Sequence, residues 1–579
     1  MIRKWAVVFF TLLLIGTAAA MFMHAPVEID QPTGSVELDY SNIHPADYVG
    51  PESCAKCHQE QTSDWRLHPH GKMNLNPTDR TVQGDFSDHE IDYGNMKVVF
   101  DNHDGQFFMS MYEDKSLSRQ YRVTRTVGSK FTQMYIGVQT EGPEPSDHSV
   151  YSVEGKLPFG YWKSRGSWYP ESYFDTGRKK EPTDPIEMSR SIVNCQQDLP
   201  WNENCIYCHN TYPYQHRIFF MSEASGFPLR DIHFPNGTDK ISGWGPVTPD
   251  QLTTLGISCE SCHFGGREHA LEGRQIRYVP TSPDLKVHRE STESLATDSP
   301  YVINSICAQC HCANVGLYPN GAATWNSREA LDLISGACKN QIKCTDCHDP
   351  HRPTTEGGLN SLKDNVATCL SCHAEFKDPK QREIHTRHPA SSGVSCLDCH
   401  MPRIVQGLES LVRTHHICSP TEISMLKNGG PNACNLCHPD RSIAWTLAEL
   451  KNGWGRKIAT DPSWESVYDL DLDRPVGQVW LTHSIPTVRL VGADAISRAP
   501  EGNATILELL GALTDEYAVN RLFGLFAVER VVGRQLTKEE YSPLESLTVR
   551  EAQVETLKKK LAPARSGSQV QQQDNFPAD

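Results

Sequence analysis

One five-residue pattern, C-x-x-C-H, occurs eight times and constrains this chain more than any other feature of its sequence. The chain has 20 cysteines, and 16 of them fall in these eight pairs. We number the pairs motif 1 to motif 8 in chain order. Each motif consists of two cysteines and the histidine that follows them: Cys54, Cys57 and His58; Cys205, Cys208 and His209; Cys259, Cys262 and His263; Cys307, Cys310 and His311; Cys344, Cys347 and His348; Cys369, Cys372 and His373; Cys396, Cys399 and His400; Cys434, Cys437 and His438.

Two kinds of cofactor site use paired cysteines. Zinc ribbons and fingers bind their metal through C-x-x-C pairs, so eight half-sites for zinc are the simplest alternative. Zinc sites have no reason to place histidine directly after every pair, whereas all eight pairs here have one. In covalent haem attachment the two thiols bond the vinyl groups and the adjacent imidazole binds the iron. The motifs therefore predict eight covalently bound haem c groups, with the motif cysteines as thioether attachment points and the motif histidines as proximal iron ligands.

The remaining histidines bear on the second axial ligand of each iron. The chain has 25 histidines, so 17 lie outside the motifs, enough to give every iron a second imidazole. Methionine ligation would raise the reduction potential, but the supply of histidine favours low-potential haems with two histidine ligands.

Several phrases around the motifs carry a family resemblance. They are CHFGGREH at motif 3, CTDCHDPH at motif 5, HTRH ahead of CLDCHMPR at motif 7, RTHHICSP, and PNACNLCH at motif 8. On these phrases the chain resembles the multihaem cytochromes related to the tetrahaem cytochrome of ammonia oxidisers, hydroxylamine oxidoreductase and octahaem tetrathionate reductase. The likeness extends to larger members that have doubled CxxCH segments and helical-repeat tails.

The resemblance implies a set of distal iron ligands, namely His70, His269, His351, His388 and His415. The chain departs from the family pattern at two of these positions. His68 stands where the family often has serine, and His416 directly follows His415. At each position either neighbour could be the ligand.

The spacing of the motifs indicates how the chain is organised. Between motif 2 and motif 8 the gaps are 20 to 49 residues, too short for large protein layers, so neighbouring haems must pack together. The 146-residue gap after His58 contains strand-like alternation from about 94 to 165, as in Met96–Phe100 and Gln106–Tyr112. We expect a mainly α and irregular, haem-packed core with a small antiparallel β insertion, which the same family also has.

The last part of the chain has helical periodicity. Residues 506–513 and 519–526 carry apolar side chains at helical spacing, with Thr514 as a candidate N-cap and Gly533 as a candidate stop. Two such helices in tandem resemble a HEAT-type repeat, although an ordinary helical appendage fits equally well. The predicted domains are a signal peptide or anchor (1–20), a linker (21–50), the octahaem domain (51–440), a helical, HEAT-like domain (441–563) and a disordered tail (564–579).

Charge and the N-terminus bear on location and partners. A net charge of -16 argues against nucleic acid and suits a basic redox partner. Arg3 and Lys4, the apolar run 5–15 and the alanines at 18–20 read as an export signal, or as an uncleaved membrane anchor. We therefore expect a periplasmic or otherwise extracytoplasmic protein whose partners are other redox proteins or a membrane redox complex.

Four cysteines lie outside the motifs: Cys195, Cys312, Cys338 and Cys418. Outside the cytoplasm they are expected to form two disulfides in one of three pairings, the alternative being buried thiols.

Three functions fit this sequence. The first is an electron carrier whose irons all have two protein ligands. The second is an enzyme in which one open iron binds a small nitrogen or sulfur compound such as nitrite, hydroxylamine or tetrathionate. The haem of His209 would be the open one, because Tyr212, Tyr214 and His216 follow it and no matched ligand phrase is near. The third is a subunit of a larger redox complex, docked through its helical tail. The carrier or subunit is favoured, and no catalytic residue is assigned.

Overall fold

The computed structural model describes residues 40–174, 182, 184–193, 200–221, 232–233, 246–283, 286–287, 298–339, 341–352, 359–468, 470–499 and 506–561. The predicted signal segment, most of the predicted linker and the predicted disordered tail lie outside these residues, as does Cys195.

The largest regular element is an antiparallel sheet of nine strands. Its strands are β1 (Asn74–Leu75), β2 (His89–Tyr93), β3 (Met96–His103), β4 (Gln106–Glu113), β5 (Ser116–Val127), β6 (Thr132–Glu141), β7 (Gly155–Lys156), β8 (Phe159–Trp162) and β9 (Ser167–Pro170). The path runs β2-β3-β4-β5-β6-β8-β9, with β1 paired to β5 and β7 paired to β6. The predicted strands near Met96 and Gln106 are therefore present.

The two ends of this sheet meet, so that it is nearly closed like a barrel. Phe100 on β3 lies parallel to Trp168 on β9, with ring centroids 3.6 Å apart and planes inclined by 4°. Tyr93 on β2 likewise packs edge-on against Phe159 on β8 at 5.8 Å. These side chains belong to one buried apolar cluster inside the sheet. The sheet thus has a hydrophobic core of its own.

This sheet corrects the predicted fold class. The expectation of a mainly α and irregular protein with a small β insertion at about 94–165 is wrong. The strands extend from Asn74 to Pro170 and form a nine-stranded, barrel-like unit, so the fold is mixed α and β. The error has a physical cause: closure depends on aromatic contacts between β3 and β9, which are far apart in sequence and invisible to local alternation.

Short helices carry most of the motifs. Those before Gly455 are α1 (Pro51–Cys54), α2 (Gln59–Leu67), α3 (Pro185–Val193), α4 (Ile206–His209), α5 (Tyr214–Met221), α6 (Cys259–His263), α7 (Arg267–Glu272), α8 (Pro300–Ala308), α9 (Glu329–Ser335), α10 (Leu362–Cys372), α11 (Pro379–Thr386), α12 (Cys396–His400), α13 (Ile423–Lys427), α14 (Ala433–Cys437) and α15 (Ile443–Trp454). Single 3₁₀ turns lie at Pro45–Asp47, Ser149–Tyr151, Glu171–Phe174, Pro249–Gln251, Cys344–Asp346, Ala374–Lys377 and Ala390–Ser392.

Three small pairs of strands also lie in this region, and the first two join segments that are more than 40 residues apart in sequence. They are β10 (Asn210–Thr211) with β12 (Thr254–Leu255), β11 (Ile232–His233) with β13 (Lys286–Val287), and β14 (Arg403–Gln406) with β15 (Leu411–Arg413).

The C-terminal part is helical, as predicted. Its helices are α16 (Pro462–Val467), α17 (Val476–Leu481), α18 (Pro486–Arg498), α19 (Ile506–Leu509), continued by the 3₁₀ turn Leu510–Thr514, α20 (Ala518–Val532) and α21 (Leu547–Leu561). Gly533 ends α20 with a φ of 76°, a left-handed conformation that favours glycine, so the predicted stop is confirmed. The predicted N-cap is wrong, because α20 begins after Tyr517 rather than after Thr514.

The sheet contacts both the motif region and the C-terminal helices, and these helices also pack directly on the motif region through the cluster that joins Leu411 to Leu490 and Phe523. On one side Trp201, Ile206 and Tyr207 near motif 2 form an apolar cluster with Val127 and Ile136 of the sheet. On the other side Trp162 packs against Phe526 of α20, with ring centroids 5.2 Å apart. The sheet therefore packs against both regions rather than covering one face of the motif region alone.

Candidate haem sites

Five motif histidines face a second histidine with nearly the same geometry. The ring centroids are 6.1 Å apart for His58 and His269, 6.1 Å for His263 and His351, 6.3 Å for His348 and His415, 6.2 Å for His400 and His385, and 6.3 Å for His438 and His388. The ring planes are inclined by 6° to 25° across these pairs. A spacing this uniform at five separate places calls for one cause.

The spacing is too long for direct contact between two imidazoles. A hydrogen bond between the ring nitrogens would put the centroids about 5 Å apart. Two metal–nitrogen bonds of about 2.0 Å, with about 1.1 Å from each nitrogen to its ring centre, give about 6.2 Å. The observed separations match an iron held between two imidazoles. Each pair would supply two ligands to such an iron, and a porphyrin would supply the other four. A zinc site would instead need three or four protein ligands, and the described residues hold no group of three or more His, Cys, Asp or Glu arranged for a metal ion.

Four of the five distal candidates from the sequence lie in such pairs, namely His269, His351, His388 and His415. Each pairs with a motif other than the one it follows in sequence or immediately precedes. His269 follows motif 3 and faces motif 1, His351 follows motif 5 and faces motif 3, and His415 follows motif 7 and faces motif 5. Through these facing imidazoles motif 1 is joined to motif 3, motif 3 to motif 5, and motif 5 to the segment that follows motif 7.

The fifth candidate, His70, is placed differently. It is half-buried, and its ring lies 4.8 Å from that of the buried His68. Burial, followed by the neighbouring His68, His311 and His348, lowers the pKa of His70 to about 3. A neutral imidazole is the form that binds iron, so this environment suits a ligand beside motif 4.

Sequence reasoning did not select His385. It lies three residues before His388 and faces His400, whereas His388 faces His438. The HTRH phrase was the available signal, but a phrase with two histidines does not reveal that each serves a different motif.

Hydrogen bonds at the ring nitrogens fix the orientation of several of these histidines. The Nδ1 atoms of His269, His388 and His400 donate to the backbone carbonyl oxygens of Arg274, Thr386 and Cys418, at 2.6, 2.7 and 2.9 Å respectively. With the proton held on Nδ1, Nε2 keeps the lone pair that an iron needs.

Cysteines of different motifs also come together. The thiol side chains interact in four pairs: Cys54 with Cys259, Cys208 with Cys310, Cys307 with Cys344, and Cys369 with Cys396. Three further pairs of motifs lie close enough for their thiols to interact electrostatically: motifs 3 and 4 through Cys262 and Cys307, motifs 5 and 6 through Cys347 and Cys369, and motifs 7 and 8 through Cys399 and Cys434. The motifs are therefore neighbours in the order 1-3-4-5-6-7-8, and motif 2 branches from motif 4.

Buried charged side chains hold two of these junctions. Glu260, inside motif 3, accepts hydrogen bonds from the backbone amides of Val49, Gly50 and Gly266 at 3.0, 2.8 and 2.9 Å. It fastens the segment before motif 1 to motif 3. The guanidinium of Arg217 donates to the carbonyl oxygen of Gln309 at 2.7 Å and to that of Tyr207, joining motif 4 to motif 2.

The cysteines outside the motifs do not pair as expected. Cys312, Cys338 and Cys418 are all free thiols in the described part of the chain. Any two-disulfide arrangement of the four would join two of these three, so the disulfide prediction is wrong. Burial raises the pKa of all three thiols.

C-x-x-C-H motifs whose histidines face a second imidazole at the separation expected for an iron between them are typical of a c-type cytochrome. Comparisons with known proteins agree. The model for the doubled CXXCH motif matches residues 336–378, which hold motifs 5 and 6, and the cytochrome c552 model matches residues 381–452, which hold motifs 7 and 8. The chain belongs to the multihaem c-type cytochromes, which carry covalently bound haem c and transfer electrons.

Two individual proteins are similar to this chain. The multiheme cytochrome MtrA of Shewanella baltica (strain OS185) is 24% identical over 273 residues, which cover 44% of this chain and 72% of MtrA. The crystal structure of the outer cell wall cytochrome OcwA aligns with 88% of this chain and 100% of its own chain, at 16% identity and a TM-score of 0.37.

Proposed function

We propose that this chain is an extracytoplasmic octahaem cytochrome that conducts electrons along haems 1 to 8, each numbered by its motif. The observation that carries the proposal is the set of five imidazole pairs 6.1 to 6.3 Å apart, each built on a C-x-x-C-H motif. Iron with two imidazole ligands is low in potential and has no open position, which suits electron transfer.

The neighbour order of the motifs supports a conducting path. Haems bonded to contacting cysteines must have their edges close together, and electron tunnelling falls off exponentially with distance. A path along 1-3-4-5-6-7-8 follows from these contacts, with haem 2 as a side branch at haem 4. Haems 1 and 8 are then the ends where electrons enter and leave.

His70 is proposed as the distal ligand of haem 4. It lies near His311, is neutral because of burial, and its neighbour His68 already accepts from the His70 backbone amide through Nδ1 at 3.1 Å. The resemblance that singled out His70 rather than His68 points the same way.

Location and partners follow from charge and from the attachment chemistry. Covalent haem attachment by the usual routes takes place outside the cytoplasm, which agrees with the export-like segment at 1–20. Over the residues that the structure describes, no helix is long and apolar enough to cross a bilayer. A net charge of -16 favours encounter with a basic redox protein or a basic face of a membrane redox complex.

The C-terminal helices are proposed as a docking domain for such a complex, of the HEAT-like kind. They have their own buried clusters, one of which joins α18 to α20 and α21. They also pack on the sheet through Trp162 and Phe526, so a partner bound there would be rigidly placed relative to the haems.

The test is the haem content and spin state of the purified native protein. Intact-mass analysis should show the processed chain plus eight haems, and paramagnetic resonance should show low-spin haem at the five paired sites. Fewer covalently bound haems than eight would overturn the haem count. High-spin signals from several haems would overturn the paired ligation. Fractionation of cells that express the full chain tests location, and recovery in the cytoplasm with haem attached would overturn export.

A second function has one observation in its favour. His373, the histidine of motif 6, faces a phenyl ring. Its ring centroid lies 6.4 Å from that of Phe376, close to the separation of the imidazole pairs, and the two planes are inclined by 29°. A phenyl ring cannot bind iron, and His373 is exposed. Haem 6 is therefore a better candidate than the haem of His209 for binding a small nitrogen or sulfur compound. Carbon monoxide added to the reduced protein should then shift the spectrum of one haem, and no shift would exclude this alternative.

A further inference from the structure

At one motif histidine the group that faces Nδ1 is charged, whereas the Nδ1 partners of three other paired histidines are neutral. His400, His269 and His388 donate to neutral backbone carbonyls. His311, in motif 4, instead has its Nδ1 2.9 Å from Oε2 of Glu329. No other hydrogen bond from a motif histidine to a carboxylate occurs in the part of the chain that the structure describes.

The carboxylate of Glu329 is held in place from its other side. Oε1 accepts from the backbone amide of Ser327 at 2.8 Å. Ser327 has a φ of 69°, a left-handed conformation that is uncommon for a residue with a side chain. Its carbonyl oxygen accepts from the amide of Ala313 at 2.8 Å, which anchors the turn two residues after His311. Backbone strain of this kind persists only where the surroundings determine it, so the turn fixes Glu329 rather than leaving it to solvent.

The helix that follows also faces motif 4. Glu329 is the first residue of α9, and the amide of the next residue, Ala330, donates to the carbonyl oxygen of His311 at 3.3 Å. α9 also packs against α8, the helix that leads into motif 4. The acid and the histidine are thus parts of one rigid unit.

A carboxylate at Nδ1 changes what the imidazole does to iron. By pulling on the Nδ1 proton it makes Nε2 a stronger electron donor, which stabilises ferric over ferrous iron. A fixed negative charge close to the haem favours the ferric state further. A backbone carbonyl can accept the same hydrogen bond from Nδ1, but it carries no net charge.

The position of haem 4 makes this effect consequential. Motif 4 interacts with motif 5 through the thiols of Cys307 and Cys344 and with motif 2 through those of Cys208 and Cys310. It meets motif 3 where the side-chain amide of Gln309 donates to the carbonyl oxygen of Ser261 at 3.4 Å. Every electron that passes between the motif 1 end and the motif 8 end, or into the side branch, crosses this haem.

We propose that Glu329 is a positioning residue that sets haem 4, the junction of the path, at a lower reduction potential than it would have with a neutral partner at His311. Haem 4 is then reduced late and oxidised early, so electrons occupy the two arms and the side branch in preference to the junction. This inference rests on the proposed conducting function.

The test is the variant Glu329→Gln in the full, haem-loaded protein. Glutamine keeps an acceptor oxygen for His311 and removes the charge. Potentiometric titration followed by absorbance and paramagnetic resonance should show the midpoint potential of one haem shifting upwards while the others stay. The matched control is Asp349→Asn, whose carboxylate lies 3.7 Å from Nδ1 of His351, beyond hydrogen-bond reach. Its charge acts on haem 3 without a hydrogen bond to the ligand, so the upward shift of haem 3 in Asp349→Asn should be smaller than that of haem 4 in Glu329→Gln.

Three outcomes would contradict the inference. Unchanged midpoint potentials in a Glu329→Gln protein that retains eight haems would overturn it while leaving the conducting function intact. Equal shifts in Glu329→Gln and Asp349→Asn would show a general charge effect instead. If Glu329→Gln does not accumulate, the wild-type protein still decides the matter, since resonance spectra should show one low-spin haem with a stronger axial field than the rest, and a uniform set would overturn the proposal.

Discussion

The imidazole rings of His385 and His400 lie 6.2 Å apart with their planes inclined by only 6°, while His388, one turn further on, lies 6.3 Å from His438. Two histidines of one phrase therefore reach two different motif histidines. α11, which carries His385, ends at Thr386, and Arg387 follows it in a left-handed conformation with a φ of 59°. This reversal turns His388 away from the line of the helix and toward motif 8.

Removing His385 and removing His388 should each free an axial position, but on two different irons. We expect His385→Ala to convert haem 7, and His388→Ala to convert haem 8, from low-spin to high-spin, because each iron loses one axial nitrogen. Quantitative paramagnetic resonance should find one high-spin haem in each single variant and two in the double variant. A double variant with no more high-spin haem than the singles would show that both histidines serve the same iron.

Adjacent histidines provide a second, sharper comparison. His415 lies 6.3 Å from His348, whereas Nδ1 of His416 lies 3.0 Å from the hydroxyl of Ser335. His415→Ala should therefore produce a carbon-monoxide-binding haem, and His416→Ala should not. The two variants remove the same kind of side chain at adjacent positions, so His416→Ala is the matched control for His415→Ala. The reverse pattern would transfer the ligand role to His416.

The limits of sequence reasoning are visible in these same residues. The spacing of the motifs predicted the attachment cysteines and proximal histidines, because the chemistry lies within five consecutive residues. The phrases around the motifs pointed to His269, His351, His388 and His415, but the motif that each one faces depends on how short segments cross in space. No local pattern records that His269 faces His58, 211 residues earlier in the chain.

The sheet shows the same limit in another form. Alternation in Met96–Phe100 predicted strands correctly, since period-two burial is a local property. The size of the unit depends on the contact between Phe100 and Trp168 and on the pairing of β1 with β5, which are tertiary events. Similarly, Thr514 has the right chemistry for a helix cap, but Asp515 accepts from Arg489 at 2.6 Å and from the Tyr517 amide at 3.0 Å, and this holds the chain extended until Ala518.

Glu260 is expected to matter for the stability of the junction between haems 1 and 3. Its carboxylate accepts from three backbone amides, whereas the side-chain NH2 of glutamine would face at least one of these donors and could not accept from it. Glu260→Gln should lower the free energy of unfolding by about 2 to 3 kcal/mol, the size of hydrogen bonds to a charged group. Guanidinium denaturation measures this, with the exposed Glu272→Gln as the control. A loss no larger than that of Glu272→Gln would contradict the role of Glu260 as a fastening.

The aromatic closure of the sheet can be tested without touching a haem ligand. Trp168 is 3% exposed and stacks on Phe100. Trp168→Ala should destabilise the protein by about 3 to 5 kcal/mol, because it leaves a cavity between the two ends of the sheet. Leu117→Ala, on the exposed side of β5, should cost far less. Denaturation followed by far-ultraviolet circular dichroism compares them, and similar losses in the two variants would argue against closure.

Asp332 gives the protein a predictable dependence on pH. Its side chain is 3% exposed, and burial raises its pKa from 3.8 to about 6, even though the Ala323 amide and Arg328 oppose the shift. A raised folded-state pKa means that the folded chain binds the proton more tightly than the unfolded chain does. This contribution to stability is fully present below about pH 4 and is lost as the pH rises through about 6, by at most about 3 kcal/mol.

Asparagine keeps an oxygen for the Ala323 amide, which donates at 2.9 Å, and cannot ionise. Asp332→Asn should therefore remove this fall in stability between pH 4 and 7, so that the variant is more stable than the wild type at pH 7 but not at pH 4. Unfolding curves at a series of pH values for the wild type, Asp332→Asn and the exposed control Asp364→Asn measure the difference. If the wild type and Asp332→Asn show parallel pH profiles, the buried carboxyl does not titrate in this range.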